Sequence, residues 1–183
     1  LGDGTTATRV TPVPVVGINN AVEVTSGTAH SCARLADGSL RCWGYNAFGQ
    51  LGDGTVTTRL VPGVVAGIND AVEVATGDDV WRADTRFGSG ADRTCARLAN
   101  GTVRCWGYNL YGGVGDGTTI NRLVPTPVLG LTDAIELAEG GRYHTCARRA
   151  DRTLMCWGYG ANGQLGDGTT NSRTAPGLVV GFP

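Results

Sequence analysis

One short motif occurs four times along the chain and constrains its fold more than any other feature. Five residues reading Leu/Val-Gly-Asp-Gly-Thr begin at Leu1, Leu51, Val114 and Leu165, with spacings of about 50, 63 and 51 residues. Between successive copies come a Pro-Val stretch, an alternating segment and a hairpin that ends in Cys-Trp-Gly-Tyr. A period of about 50 residues built of short strands is typical of propellers and solenoids, because one unit cannot bury its own hydrophobic face.

Alternating residues predict the first strand of each unit. In residues 21–25, Val22 and Val24 share one face and the glutamate between them takes the other, which is the pattern of a half-buried strand. Residues 71–75 and 134–138 repeat this pattern. The sequence therefore predicts three equivalent strands with equivalent buried faces.

A hairpin follows each of these strands. Residues 36–38 and 99–101 fit a three-residue turn whose last position is left-handed and favours glycine. The third hairpin carries Arg152 at the glycine position. We expect its turn to be strained by about 1 kcal/mol or to be built differently.

The six cysteines form three pairs with one Cys-x9-Cys spacing. In the first hairpin Leu35 faces Ser39, and counting outward from this pair sets Cys32 opposite Cys42. Opposite residues on antiparallel strands have α-carbons about 4.5 to 5.5 Å apart, which a disulfide spans. Buried free thiols and a metal site stay open as alternatives, although zinc sites favour closely spaced pairs that are absent here. The expected disulfides are Cys32–Cys42, Cys95–Cys105 and Cys146–Cys156.

Three motifs of the first unit carry a family resemblance. They are Gly-x-x-His-Ser at residues 27–31, Cys-Trp-Gly-Tyr-Asn at 42–46 and Gly-Gln-Leu-Gly at 49–52. They resemble the repeat of the regulator of chromosome condensation family, and the match covers essentially the whole chain. The middle unit departs from it, with Arg93 at the position of His30. The resemblance implies propeller blades that serve as binding platforms, and the cysteine pairs resemble those of bacterial, exported versions of the repeat.

We therefore expect an all-β chain of propeller-type blades with about 50 residues each. The predicted units are repeat 1 at residues 1–50, repeat 2 at 51–113 with an insertion near 78–90, repeat 3 at 114–164 and a partial repeat 4 at 165–183. Closed propellers usually have 4 to 8 blades, and the resemblance implies seven. About 3.7 repeats leave the ring incomplete unless another chain completes it.

Composition excludes several classes of function. Fifteen arginines, no lysine and sixteen acidic residues give a net charge of -1, which disfavours nucleic acid as a partner. No apolar run is long enough to span a membrane. The absence of lysine excludes Schiff-base chemistry. With no pairing of a nucleophile and a base in the sequence, we expect no enzymatic activity, cofactor or metal.

The insertion in the middle unit is the best candidate for a partner-binding segment. It contains the one tryptophan outside the Cys-Trp-Gly motifs, together with arginines and aspartates. Aromatic residues beside arginine are typical of interface hot spots, and insertions in repeat proteins concentrate on a binding face. The alternative is a solvated or locally packed insertion without a partner. The candidate residues are Trp81, Arg82, Arg86 and Phe87.

Other recurring residues are expected to be structural. His30 and His144 each precede a hairpin strand, where a hydrogen bond to a neighbouring turn is the usual role. One carboxylate per Gly-Asp-Gly-Thr loop is too few for calcium, which takes about 6 to 8 oxygen ligands. Asx-type turns are therefore expected at Asp3, Asp53, Asp116 and Asp167. Packing within or between blades is expected for Trp43, Trp106 and Trp157.

Two hypotheses of function follow. The first is a non-enzymatic, exported or surface-attached protein that binds another macromolecule through its loops, because disulfides persist outside the cytosol. The second is a structural subunit whose open blade edges assemble with further copies into a ring or an extracellular filament. The chain begins at Leu1 without a charged and apolar leader, so we expect a processed or excised piece.

Overall fold

The computed structural model describes residues 1–77, 93–140 and 143–181. Within these ranges the helices and strands comprise β-strands alone. The strands are β1 Ala21–Ser26, β2 His30–Leu35, β3 Leu40–Gly44, β4 Arg59–Val64, β5 Ala71–Thr76, β6 Arg93–Leu98, β7 Val103–Gly107, β8 Arg122–Pro127, β9 Ala134–Gly140, β10 His144–Arg149, β11 Leu154–Gly158 and β12 Arg173–Leu178. Successive groups of four strands form three antiparallel sheets, which we name blades 1, 2 and 3. The all-β propeller-type prediction is confirmed, as an open array. Within the described ranges no helix is long and apolar enough to cross a membrane.

Each blade combines parts of two sequence units. The Gly-Asp-Gly-Thr motif at residues 52–55 lies in the connection between β3 and β4, so the first blade takes its fourth strand from the second unit. In the same way β12, within residues 165–181, completes blade 3. Each blade is nevertheless built from four consecutive strands of the chain.

The hairpins and the disulfides follow the predicted register. The N–H of Leu35 donates to the carbonyl of Ser39 at 2.9 Å, and Cys32 lies opposite Cys42. All six cysteines are joined in the three expected disulfides, with α-carbons 4.1 Å apart. Each bridge crosses the β2–β3 hairpin or its equivalent, so each lies within a single blade.

The third hairpin has the same turn as the other two. Arg152 has a φ of 72°, close to the 79° of Gly38. The N–H of Arg149 donates to the carbonyl of Thr153 at 2.9 Å, as in the first hairpin. Of the two predicted alternatives, the structure therefore has the strained turn.

The first strands of the blades are not buried as evenly as their sequences predict. Val74 is 4% exposed but Val24 is 68% exposed, because blade 1 covers Val74 and no described residue covers Val24 in the same way. Val72 is also exposed, although the alternation places it on the face of Val74. A register shift between Ala71 and Glu73 breaks the alternation at this point. The buried apolar residues form two clusters, one at each junction between blades.

We expect Arg152→Gly to raise the free energy of unfolding by about 1 kcal/mol, because glycine adopts the left-handed conformation without steric cost. Arg152→Ala is the matched control, since it removes the charged side chain but keeps the β-carbon. Urea unfolding of the oxidised proteins measures both. Equal stabilisation by alanine and glycine would show that the side chain, not the backbone conformation, is unfavourable.

Candidate interaction surface

The recurring aspartates form the expected Asx turns. Asp53 accepts hydrogen bonds from the N–H and the hydroxyl of Thr55 at 2.9 and 2.8 Å, and Arg59 donates to its other oxygen. Burial raises the pKa of Asp53, but these hydrogen bonds outweigh it and hold the pKa below its usual value. The other three aspartates make the same turn, and each forms an ion pair with the arginine six positions later, at Asp167 through a terminal guanidinium nitrogen and not through Nε. Their carboxylates are thus engaged within the loops.

A main-chain carbonyl joins blade 1 to blade 2. The carbonyl of Gln50 accepts hydrogen bonds from the Thr94 hydroxyl at 2.9 Å and from Nε1 of Trp106 at 3.0 Å. Nε2 of His30 lies 2.9 Å from the same hydroxyl. His30 is therefore structural, as expected, but its partner is a strand residue of the next blade and not a turn. The predicted packing role of Trp106 is confirmed.

The junction of blades 2 and 3 repeats this arrangement with one replacement. The carbonyl of Gly113 accepts hydrogen bonds from the Thr145 hydroxyl at 3.0 Å and from Nε1 of Trp157 at 2.8 Å. Nε of Arg93 donates to the Thr145 oxygen at 2.9 Å, where His30 acts in the first junction. The middle unit thus departs from the repeat at Arg93, but this side chain keeps the contact with the threonine hydroxyl of the next blade.

Arg93 brings a buried ion pair into the second junction. Its guanidinium lies 2.6 Å from Glu139, and both side chains are 2% exposed. The same group donates to the carbonyl of His144 at 2.6 Å. Burial raises the pKa of Glu139 to about 7, although the guanidinium opposes this shift.

The geometry near this pair does not form a metal site. Cys95, Cys105 and Glu139 bring potential ligand atoms within 4.8 Å of one another. The two sulfur atoms are bonded to each other, and the carboxylate is held by Arg93. A metal at the cysteines, one of the alternatives from their spacing, therefore does not fit.

A continuous row of aromatic rings crosses the three blades on one end. Ring centroids lie 5.1 Å apart between Phe48 and Tyr108, and 4.9 Å apart between Tyr111 and Tyr159. Both contacts join neighbouring blades. We name this row the aromatic belt; its members are Tyr45, Phe48, Tyr108, Tyr111, Tyr143 and Tyr159.

Five of the six belt residues lie on uncharged, partly exposed loops, and the sixth, Tyr143, lies in the connection between β9 and β10. Residues 45–50, 108–113 and 159–164, which follow the third strand of each blade, contain no charged side chain. Within the belt Tyr45 is exposed and the other rings are half-buried, and Leu110 is exposed beside them. Sequence reasoning missed the belt as a site. Its signal was an aromatic residue three positions after the tyrosine of Cys-Trp-Gly-Tyr in the first two units.

The predicted partner-binding residues Trp81, Arg82, Arg86 and Phe87 lie outside the described residues. They belong to the connection between β5 and β6. Arg93, the first residue of β6, pairs with Gly107, which directly precedes a tyrosine of the belt. The connection therefore joins blade 2 at the end that carries the belt.

Two family models match the chain, and both are described as the Regulator of chromosome condensation (RCC1) repeat. One matches residues 21–50, 85–112 and 139–164. The other matches residues 37–80 and 100–148. Together they cover most of the three blades.

Curated relatives are much longer than this chain. The probable E3 ubiquitin-protein ligase HERC4 of Homo sapiens is 30% identical over 162 residues, which are 87% of this chain and 14% of the relative. The ultraviolet-B receptor UVR8 of Arabidopsis thaliana is 29% identical over 183 residues, 98% of this chain and 39% of the relative. The chain therefore spans less than half of each relative.

Solved structures share the fold. Human WBSCR16 superposes with a TM-score of 0.70 at 25% identity, over 86% of this chain and 37% of that one. Prp20p of Saccharomyces cerevisiae gives a TM-score of 0.73 at 19% identity, over 89% of this chain and 39% of that one. At this identity the second likeness concerns the fold alone.

We expect the stability of the protein to fall as the pH rises from about 4.5 to about 7. The pKa of Glu139 is raised in the folded chain from its usual 4.5 to about 7. Protonation of this group therefore favours folding, an effect complete below pH 4.5 and lost as the pH passes 7. The contribution is up to about 3 kcal/mol, since one pKa unit corresponds to about 1.4 kcal/mol.

Glu139→Gln is the control for this pH dependence, because glutamine does not titrate. The measurement is the free energy of unfolding of both proteins in urea between pH 4.5 and 7.5. Wild type should lose stability relative to the variant across this window. Parallel curves would contradict the assignment to Glu139.

Proposed function

Since the chain belongs to the regulator of chromosome condensation repeat family, we propose that it is a non-enzymatic interaction module that binds another protein. It acts outside the cytosol, at the cell surface or in the extracellular space. The binding surface is the aromatic belt, together with the β5–β6 connection that joins blade 2 at the same end. The belt is the observation that carries this proposal.

The chemistry of the belt supports a protein partner. Tyrosine gives a large contact area with little loss of side-chain entropy, and its hydroxyl remains available for hydrogen bonds. The three loops that carry the other belt residues besides Tyr143 contain no charged side chain, as is typical of the centre of a protein interface. Rings in contact from blade to blade form one surface larger than any single loop.

Proteins of the same fold are described with protein partners. One solved structure is of Kap60 bound to yeast RCC1 (Prp20), and another concerns the binding properties of Prp20p to Gsp1p and histones. These partners belong to those proteins. For this chain they support only the general class of partner.

The described side chains offer little for catalysis. All six cysteines are in disulfides, and His30 is buried in a junction between blades. The sequence contains no lysine. The same disulfides support an oxidising compartment, because cytosolic thiols are kept reduced.

We expect Tyr45→Ser combined with Leu110→Ser to weaken partner binding at least tenfold, because the change removes exposed apolar surface from the belt. The matched control is Leu60→Ser combined with Val64→Ser. These two residues are comparably exposed and lie on β4, the fourth strand of blade 1. Wild type, the belt variant and the control would each be immobilised and incubated with the surface and secreted proteins of the producing cells. The proteins that each of them retains would then be compared.

A protein retained by wild type and the control but not by the belt variant supports the proposal. If all three proteins retain the same set, the belt is not the binding surface. Urea unfolding of both variants ensures that lost binding does not reflect lost folding.

A second candidate function is assembly with further copies through the outer faces of blades 1 and 3. Val24 is 68% exposed, whereas the neighbouring blade leaves its counterpart Val74 at 4%. On blade 3, the side chain of Glu136 is 57% exposed, against 21% for its counterpart Glu73. Glu73 accepts a hydrogen bond from the N–H of Leu137 in the next blade. The two outer faces are thus the unmatched halves of one repeated interface.

One residue of blade 3 opposes this assembly. A β-carbon at Gly38 would lie 2.8 Å from the carbonyl oxygen of Asn69 in the next blade, and one at Gly101 would lie 2.8 Å from that of Thr132. Arg152 places a β-carbon at the same position of blade 3. The backbone of a docked copy would have to shift there.

We therefore expect Val24→Asp to reduce self-association at least tenfold, because it places a charge in the apolar half of the interface. Arg152→Gly should instead strengthen association by removing the close contact. Arg152→Ala, which keeps the β-carbon, is the control. Sedimentation equilibrium over a range of concentrations measures all three. Single chains of 18.9 kDa at every concentration, including Arg152→Gly, would contradict the assembly.

A further inference from the structure

Tyr143 joins the two halves of the aromatic belt. Its ring centroid lies 5.5 Å from that of Tyr108 and 4.9 Å from that of Tyr111. Among the described residues, Tyr108 and Tyr111 make no ring contact with each other. The other belt rings follow the third strand of a blade, whereas Tyr143 directly precedes β10. The belt is therefore continuous only while the connection before β10 holds this ring in place.

The backbone of Tyr143 is strained. Its φ is 74°, a left-handed value that residues with a β-carbon rarely adopt. Ala29 occupies the same position in blade 1, where its carbonyl accepts a hydrogen bond from the N–H of Tyr45 at 2.9 Å. The carbonyl of Tyr143 accepts one from Tyr159 at the same distance. Ala29 does not have a positive φ. Such strain persists only where neighbouring contacts impose it, so contacts beside Tyr143 hold its backbone.

The guanidinium of Arg93 supplies these contacts from blade 2. One of its terminal nitrogens donates to the Glu139 carboxylate and to the carbonyl of His144, at 2.6 Å in both cases. Glu139 lies near the end of β9 and His144 begins β10, so one guanidinium holds the chain on both sides of the connection that carries Tyr143. We name Arg93, Glu139 and the His144 carbonyl the arginine clamp. Its charged side chains are buried, which keeps solvent from weakening the ion pair.

Three positions of the second junction differ from the first, and together they form the clamp. From the first junction to the second, the changes are His30 to Arg93, Thr76 to Glu139 and Gln50 to Gly113. The glycine makes room for the guanidinium, because a β-carbon at Gly113 would lie 2.6 Å from Nη1 of Arg93. The first junction packs without these residues, so packing of the blades does not itself require the clamp.

We propose that Arg93 is a positioning residue for partner binding, which holds Tyr143 in the aromatic belt and thereby sets the affinity of the belt for its protein partner. The inference rests on the proposed function and adds to it a buried residue that touches no partner. A ring held in place before binding loses less conformational entropy when the partner arrives. Arg93 therefore acts by preorganising the belt.

The test rebuilds the first junction in the second by combining Arg93→His, Gly113→Gln and Glu139→Thr, which we name the first-junction variant. The histidine keeps the threonine contact of the first junction, but the clamp is lost. The probe is the protein that wild type retains and the belt variant does not. We expect its affinity to fall about tenfold in surface plasmon resonance. The matched control is Arg148→His combined with Glu136→Thr, which removes the exposed ion pair between β9 and β10 and should bind as wild type does.

Ring contacts give a second measurement that needs no partner. With labelled aromatic rings, nuclear Overhauser contacts of Tyr143 with Tyr108 and Tyr111 should be present in wild type and in the control. They should be absent in the first-junction variant. The contact between Phe48 and Tyr108, which joins blades 1 and 2, should persist in all three proteins. A merely structural role of Arg93 would leave the contacts of Tyr143 unchanged, and that result would overturn the inference.

The outcomes separate this inference from the proposed function. If the belt variant loses the partner but the first-junction variant binds it as tightly as wild type, the belt is the binding surface and the role of Arg93 is wrong. Tyr143→Ala leaves the clamp in place and should also bind about tenfold more weakly. Unchanged binding by Tyr143→Ala would overturn the inference even if the first-junction variant does not fold. If wild type retains no protein through the belt, the proposed function and this inference both fail.

Discussion

The carbonyls of Gln50 and Gly113 hold the three blades in register. Each accepts a hydroxyl and an indole hydrogen bond from the following blade, inside a buried junction. Sliding one blade past the next would leave several of these donors unsatisfied. An unpaired buried donor costs about 1 to 3 kcal/mol, so the aligned arrangement is strongly favoured. The apolar clusters at the junctions supply the area of contact, and these polar contacts fix its alignment.

This alignment also produces the aromatic belt. Tyr45 and Phe48 lie in the same short loop as Gln50, so the loop that joins two blades also carries the rings. In the next unit Tyr108 and Tyr111 lie in the loop that carries Gly113. Their rings contact those of Phe48 in blade 1 and Tyr159 in blade 3. The proposed binding surface is thus a direct result of how the blades pack, and binding at the belt need not disturb the packing.

Local pairing could be predicted from the sequence, but contacts between blades could not. The turn glycine Gly38 fixes the hairpin register, and counting along two strands was enough to pair Cys32 with Cys42. Arg93 shows where such counting ends, because its partners Glu139 and Thr145 lie about 50 residues away in another sheet. The belt was missed for the same reason: its rings belong to separate units and meet only when neighbouring blades pack.

Each of the three disulfides lies within its own hairpin, and no disulfide joins one blade to another. A chain pulled from its two ends would therefore separate blade from blade while each sulfur bridge kept its small loop closed. Each bridge spans a sequence separation of 10 residues, which would otherwise add about 30 Å of extended chain. Oxidation thus shortens the fully stretched molecule by about 90 Å, and a protein tethered under tension would retain three short loops closed by disulfides.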